Sequence, residues 1–213
     1  LENEKLHAYI EGIIPERPEL FQRMEQYAHD HEVPIMELPS IEALLQLLRI
    51  QQSKAILEVG TAIGYSALRM AFSLPDCHIV TIERDAERYE RAEQYIQEAG
   101  KESQIVIIKG DALEAEENVK EHGPFDVIFI DAAKSQYKRF FELYSRYLNK
   151  DGIIITDNVL FKGLVCEKDE IENRNVRALV RKIDNFNQWL MGHPDYHTAI
   201  LPIGDGVAIS KKR

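Results

Sequence analysis

Two stretches of the sequence end an apolar run on groups that can do chemistry. "FDVIFIDAAKSQY" breaks off at Asp131, with Lys134 three residues later, and "GIIITDNVLF" breaks off at Asp157 followed by Asn158. Asp131, Asp157 and Asn158 offer only oxygen donors, the set that suits a hard divalent ion such as Mg2+. No His or Cys stands among them, which disfavours zinc. Lys134 could accept a proton if its own pKa is lowered, or could steady a developing oxyanion by charge. The simpler readings are that Asp157 caps the loop after its strand and that Lys134 is an exposed lysine at a helix start.

These groups make a site only if the chain brings them to one edge. From Lys54 onward short apolar runs alternate with amphipathic stretches: "AILEV", "HIVTIE", "QIVIIKG", "FDVIFID" and "GIIITD" read as strands. Helices are expected between them around 66–73, 86–99, 112–121 and 136–148. β-branched runs separated by helices are the mark of a parallel sheet covered on both faces. After a long helix over about 175–191, "YHTAILPIGDGVAISKKR" reads as a hairpin turning at Gly204–Asp205–Gly206. The first 52 residues read as helices, with Pro15 and Pro18 near one start and Ser40 as an expected N-cap. The expected fold is therefore α/β: a doubly wound, Rossmann-like sheet, mostly parallel, with a C-terminal antiparallel hairpin and N-terminal helices. One domain spans 1–213, with a helical segment at 1–52 and an α/β core at 53–213. Ligands of such sheets bind beyond the carboxyl ends of the strands, where Asp131 and Asp157 fall.

Composition narrows the partners. The chain has 213 residues, 45% hydrophobic and 29% charged, ordinary for a globular protein, and a formal net charge of −10. That charge argues against a general nucleic-acid binder and against DNA, although a local basic face remains possible on an acidic protein. No apolar stretch nears the roughly 18 residues that span a bilayer, and charge interrupts the first residues, so a cytoplasmic protein away from membranes is expected. Cys77 and Cys166 stand far apart, which fits reduced thiols rather than a disulfide or zinc framework.

Three consecutive strand ends carry a second pattern. "LEVGTAIGYSALRMA" places Gly60 and Gly64 around a strand-to-helix turn, where the backbone can approach a ligand and a helix N-terminus can meet an anion. The spacing is G-x-x-x-G rather than the G-x-G-x-x-G of a pyrophosphate cradle. Glu83 ends the second strand, where an acid can accept ribose hydroxyls, and Asp111 with the Ala112 N–H ends the third, where adenine could be held. Together they point to a cofactor bearing adenosine. A nicotinamide-dependent dehydrogenase would use Glu83 but would leave Asp131, Asp157 and Asn158 idle. A non-catalytic RNA-binding module would leave Lys134 idle as well.

In order, "LEVGTAIGYSALRMA", "IERD", "GDA", "FIDAAK", "TDNVLF" and "PIGDGVAIS" resemble the cation-dependent class I O-methyltransferases of the catechol and caffeoyl-CoA type over nearly the whole chain. Within that family "NVLFKGLV", "HPDYHTAI" and "GDGVAISKK" resemble the bacterial tRNA 5-hydroxyuridine methyltransferases. The resemblance implies S-adenosylmethionine and Mg2+ as cofactors, with Asp131, Asp157 and Asn158 as metal ligands and Lys134 and Asp131 as catalytic groups. Met36 and Leu38 would lie by the sulfonium. Glu58, Gly60, Gly64, Ser66 and Asp131 would serve the methionine end, and Glu83, Asp111 and Ala112 the adenosine end. A homodimer is also implied.

Methyl transfer to a hydroxyl needs an oxyanion in line with the sulfonium methyl, and a cation chelated by that hydroxyl and a neighbouring oxygen supplies both acidity and aim. A catechol qualifies, as does 5-hydroxyuridine, whose 5-hydroxyl adjoins O4. The expected reaction is methylation of 5-hydroxyuridine in tRNA to 5-methoxyuridine, with a small catechol or caffeoyl-CoA-like substrate as the alternative. Lys162, Arg174, Arg177 and Arg181 are the candidate RNA contacts, the three arginines sharing one helix face at i, i+3 and i+7.

Overall fold

The computed structural model describes residues 2–213, with side-chain burial from Lys5 onward. Three helices lead in: α1 (Glu2–Ile13), α2 (Glu19–Asp30) and α3 (Leu38–Gln51). The core then alternates β1 (Ala55–Val59), α4 (Tyr65–Ser73), β2 (His78–Glu83), α5 (Ala86–Glu98), β3 (Ile105–Lys109), α6 (Glu116–Lys120), β4 (Phe125–Ile130), α7 (Tyr137–Tyr144), β5 (Leu148–Thr156) and α8 (Arg174–Met191). It closes with the hairpin β6 (Tyr196–Leu201) and β7 (Val207–Lys212). Short 3-10 turns at Lys134–Gln136, Ser145–Tyr147 and Phe161–Cys166 link the elements.

The seven strands lie in the order β3-β2-β1-β4-β5-β7-β6. β1 to β5 pair in parallel, and β7 runs antiparallel between β5 and β6. Alternation of side chains explains the two packed layers. Ile56, Ile79, Val127 and Phe129 face a layer built with α2, α3, α4 and α5. Their neighbours Leu57, Val80, Ile128 and Ile130 face α6, α7 and α8. The chain steps outward from β1 through β2 to β3, then returns to β4 on the other side of β1. The strand order therefore reverses between β1 and β4, which opens a crevice at their carboxyl ends.

The expected architecture holds, and three local boundaries differ. Ser40 is not the N-cap of α3: Glu37 takes that place and a proline sits in the first turn, so the helix starts at Leu38. α6 is far shorter than the 112–121 read from the pattern, because Asp111 turns the chain after β3: its side chain accepts the Leu113 N–H at 2.9 Å and its carbonyl that of Glu114. The helix expected over 136–148 is helical only to Tyr144 in α form, and β5 begins at Leu148.

Candidate active site

The sheet sets the two acids side by side. Ile130 and Thr156 are register partners on β4 and β5, and the ladder continues one residue further, with Asp131 N–H bonded to Val59 O and Asp157 N–H to Ile130 O, both at 3.0 Å. Asp131, Asp157, Asn158 and Lys134 all line one cavity of about 550 Å³ at the crevice. Asp157 is 3% exposed. Its Oδ2 accepts the Asn158 amide at 2.9 Å, while its Oδ1 has no protein partner. Burial, reinforced by the Asp131 charge, pushes the Asp157 carboxyl up to about 8. Burial likewise raises Asp131, to about 6, against the opposing pull of Lys134.

The loop bearing Asp157 and Asn158 is fixed from three sides. Asn158 adopts φ 60, a left-handed conformation, and its neighbours hold it there. The Tyr137 hydroxyl, on α7, donates to the Asp157 carbonyl at 2.9 Å, Asn187 on α8 donates to the Val159 carbonyl at 2.7 Å, and the Val159 N–H bonds to the Gly206 carbonyl at 3.0 Å. A strained conformation so over-determined is typical of functional loops. Among the described residues no three His, Cys, Asp or Glu side chains converge closely enough to hold an ion alone. The third donor here is an asparagine. Two acids and an amide, with a buried carboxylate oxygen lacking a partner, fit a hard divalent cation.

At the other end, Gly60 (φ 104) lies so near the Asp131 carbonyl that a Cβ there would collide with it, which is why the turn after β1 requires glycine. Glu83 is 7% exposed. It accepts the Ala62 N–H and the Asp85 N–H, each at 2.8 Å, and each carboxylate oxygen retains a second lone pair for a ligand. Gly60, Ser66, Glu83, Asp111, Ala112 and Met36 line the cavity with Asp131.

Three expected contacts fall elsewhere. Glu58 is wholly buried beneath the cavity floor, accepting hydrogen bonds from Ser66 and Thr81. Burial pushes its carboxyl up to about 8 despite those bonds, so it positions Ser66 rather than meeting a ligand. Leu38 turns into the hydrophobic layer, leaving Met36 and Glu37 on the cavity wall. Gly64 caps α4 and faces Ala92 of α5. Conversely, Asp205, read from sequence only as a turn residue, lines the cavity. Its acid type between two glycines was the one signal available.

The basic residues divide. Lys162 lines the cavity mouth. Arg174 is exposed at the first turn of α8 and has no acid within ion-pair distance among the described residues, whereas Arg177 donates to the Ile171 carbonyl at 3.1 Å and Arg181 stands 3.6 Å from Asp169. Sharing one helix face thus leaves Arg174 alone fully uncommitted.

A doubly wound sheet with an acid-lined cavity at its switch point and a buried acid ending β2 is the class of a Rossmann-like methyltransferase. The chain belongs to the O-methyltransferase family, whose model matches residues 12–213. It is 30% identical to caffeoyl-CoA O-methyltransferase 2 of Populus trichocarpa over 222 residues, covering 100% of this chain and 90% of that one. A crystal structure from Staphylococcus aureus, described as a candidate caffeoyl-CoA O-methyltransferase, superposes with TM-score 0.88 at 40% identity, covering 100% and 98% of the two chains. A methyltransferase of Podospora anserina bound to S-adenosylhomocysteine superposes with TM-score 0.86 at 26% identity, covering 100% and 95%.

Proposed function

We propose that this chain transfers the methyl group of S-adenosylmethionine, with a divalent cation, to the 5-hydroxyl of 5-hydroxyuridine in tRNA. The observation that carries the chemistry is the buried, partnerless Asp157 Oδ1 beside Asp131 and Asn158, in a cavity that Glu83 and Asp111 also line. When bound, S-adenosylmethionine would supply an electrophilic methyl, held between Met36, Ser66, Asp131 and the acids of β2 and β3. A cation at Asp131, Asp157 and Asn158 would supply acidity to a chelating hydroxyl.

The chain's own residues do the rest. Lys134 stands on the turn after Asp131; as the neutral amine it accepts the hydroxyl's proton, and as the ammonium it balances the charge of the oxyanion left behind. Its ammonium lies 5.6 Å from the Phe161 ring centroid, a cation–ring contact that holds the lysine beside the loop carrying Asn158. Tyr137 and Asn187 hold the ligand loop still, so that the reacting oxygen keeps its aim.

Support for an RNA substrate is the likeness of "NVLFKGLV" and "HPDYHTAI" to the tRNA-modifying group, together with the placing of cations. Arg174 and Arg177 stand in the opening turns of α8, which carry no acidic residue. Cations there oppose the helix dipole; Arg177 is engaged by the Ile171 carbonyl, whereas exposed Arg174, with no such partner among the described residues, suits a phosphate backbone. A second reading, a catechol-bearing small molecule, is favoured by the caffeoyl-CoA enzymes among the relatives. The test is a side-by-side assay with Mg2+ and cofactor on caffeoyl-CoA and on tRNA carrying 5-hydroxyuridine, the products resolved by mass spectrometry. Preferential formation of 5-methoxyuridine is expected; turnover of caffeoyl-CoA alone would establish the second reading.

A further inference from the structure

The turn between β6 and β7 is locked to the site. Gly204 sits so close to Ser40 of α3, and Gly206 so close to Leu160, that a Cβ at either would collide with them. The Asp205 carbonyl accepts the Leu160 N–H at 2.8 Å and the Phe161 N–H at 3.1 Å, and the turn closes through Gly206 N–H to Ile203 O at 2.9 Å. The positive φ values the turn needs fall on Gly204 and Gly206. Asp205 contributes to this frame through its backbone alone.

Its carboxylate therefore has no structural duty. It lines the cavity with Asp131, Asp157, Asn158 and Lys134, and it makes no hydrogen bond or ion pair with any described residue. It shares the cavity with two acids and one cation: its charge raises Asp131 and Asp157, and the buried Tyr137 hydroxyl, while Lys134 opposes it at both acids. A third acid beside two others adds repulsion to the empty fold and attraction for a cation. Among the described residues Asp205 does not join Asp131 and Asp157 in a group of three acids that could hold an ion, so its link to a cation is an indirect one. A hydration water supplies such a link.

We propose that Asp205 is an outer acceptor of the cation site, taking hydrogen bonds from the ion's hydration waters and so setting its affinity. The inference rests on the cation-dependent reading above. Partners of this kind typically change metal affinity by about 10–100-fold when removed. Because the turn uses only the Asp205 backbone, Asp205→Asn and Asp205→Ala both keep the frame. The roles to be separated are outer acceptor, substrate contact and plain turn residue.

The experiment titrates Mn2+ into the wild-type chain, Asp205→Asn and Asp205→Ala without substrate, following the free-ion paramagnetic resonance signal. S-adenosylhomocysteine affinity measured without cation, and the melting temperature, report on the intact frame. Cation binding weakened about 10–100-fold in both variants, with S-adenosylhomocysteine affinity within about twofold, is the expected result. Cation affinity within about twofold of wild type overturns the proposal, and a fall in turnover alone would then reassign Asp205 to the substrate. A wild-type chain that binds no Mn2+ at all would overturn the cation reading itself, and this inference with it.

Discussion

Cation binding to this site should release protons, because burial raises both of its acids. Burial holds the Asp157 carboxyl at about 8 and the Asp131 carboxyl at about 6, both above the ordinary aspartate value, so the empty site keeps a proton at neutral pH. A cation binds only the ionised pair, so protons must leave as it enters. At pH 7 a group titrating at about 8 is roughly 0.9 protonated and one at about 6 roughly 0.1, giving a release of about one proton per ion. The apparent association constant should then rise about tenfold per pH unit between 6 and 8, more steeply below 6, and level off above 8. Calorimetric titration of Mg2+ in buffers of contrasting ionisation enthalpy, at half-unit steps from pH 5.5 to 8.5, reads both quantities. The same raised values carry a stability sign. A carboxyl whose pKa is higher folded than unfolded favours the fold at low pH and loses that contribution as pH rises through the folded value. The empty protein should therefore lose stability between about pH 4 and 8 through these groups, and saturating Mg2+ should flatten that loss. A buffer-independent enthalpy together with a flat pH profile would refute the argument, because it would mean that both acids are already ionised in the empty site.

Asp157→Ala should abolish cation binding and methyl transfer while the circular dichroism spectrum stays native, since Oδ1 has no protein partner and Oδ2 accepts only the adjacent, part-exposed Asn158 amide; full turnover in excess chelator would contradict the assignment. Lys134→Ala should lower kcat by about 10²–10⁴-fold with cofactor affinity unchanged, and an unaltered pH–rate profile would show that the lysine takes no part in removing the proton. Glu83→Gln should weaken S-adenosylhomocysteine binding, measured by calorimetry, more than it lowers kcat at saturation, because a ribose contact is made alike in ground and transition states. Glu83→Ala should in addition cost about 1–3 kcal/mol of stability by leaving the Ala62 and Asp85 N–H groups without their acceptor.

What could be read from sequence follows the range of the interactions involved. β1 as "AILEV" and β2 as "HIVTIE" match the observed bounds residue for residue, because a strand buried on both faces is mostly apolar, its few interior polar groups being paired as Thr81 is with Glu58. The convergence of Asp131 with Asp157 was legible for a related reason: parallel strands deliver their carboxyl ends to one edge, so acids just past two such ends become neighbours without knowledge of any side-chain contact. Side-chain direction was less accessible. Glu58 lies inside a strand between Leu57 and Val59, and only the packing of α4 above it shows that it meets Ser66 rather than the cavity. Leu38 belongs to a connection whose rotation depends on where α3 begins, and α3 begins two residues before the serine that pattern alone selects.

Asp205 marks the limit most clearly. Its position depends on β7 inserting antiparallel between β5 and β6, a pairing that brings residues near the end of the chain against a loop some forty residues earlier. Within its own neighbours, glycine-aspartate-glycine says only that the chain turns. Against the loop after β5 it says more. The three backbone bonds from Val159, Leu160 and Phe161 to the turn mean that the segment carrying Asn158 cannot shift without the hairpin. The strain at Asn158, Phe161 and Lys162, all at positive φ, is therefore borne by a long-range pairing rather than by local sequence. Asp157, Asn158 and the Phe161 ring are thus positioned by one assembly of loop and hairpin, so the geometry proposed for the cation site is set by the fold itself.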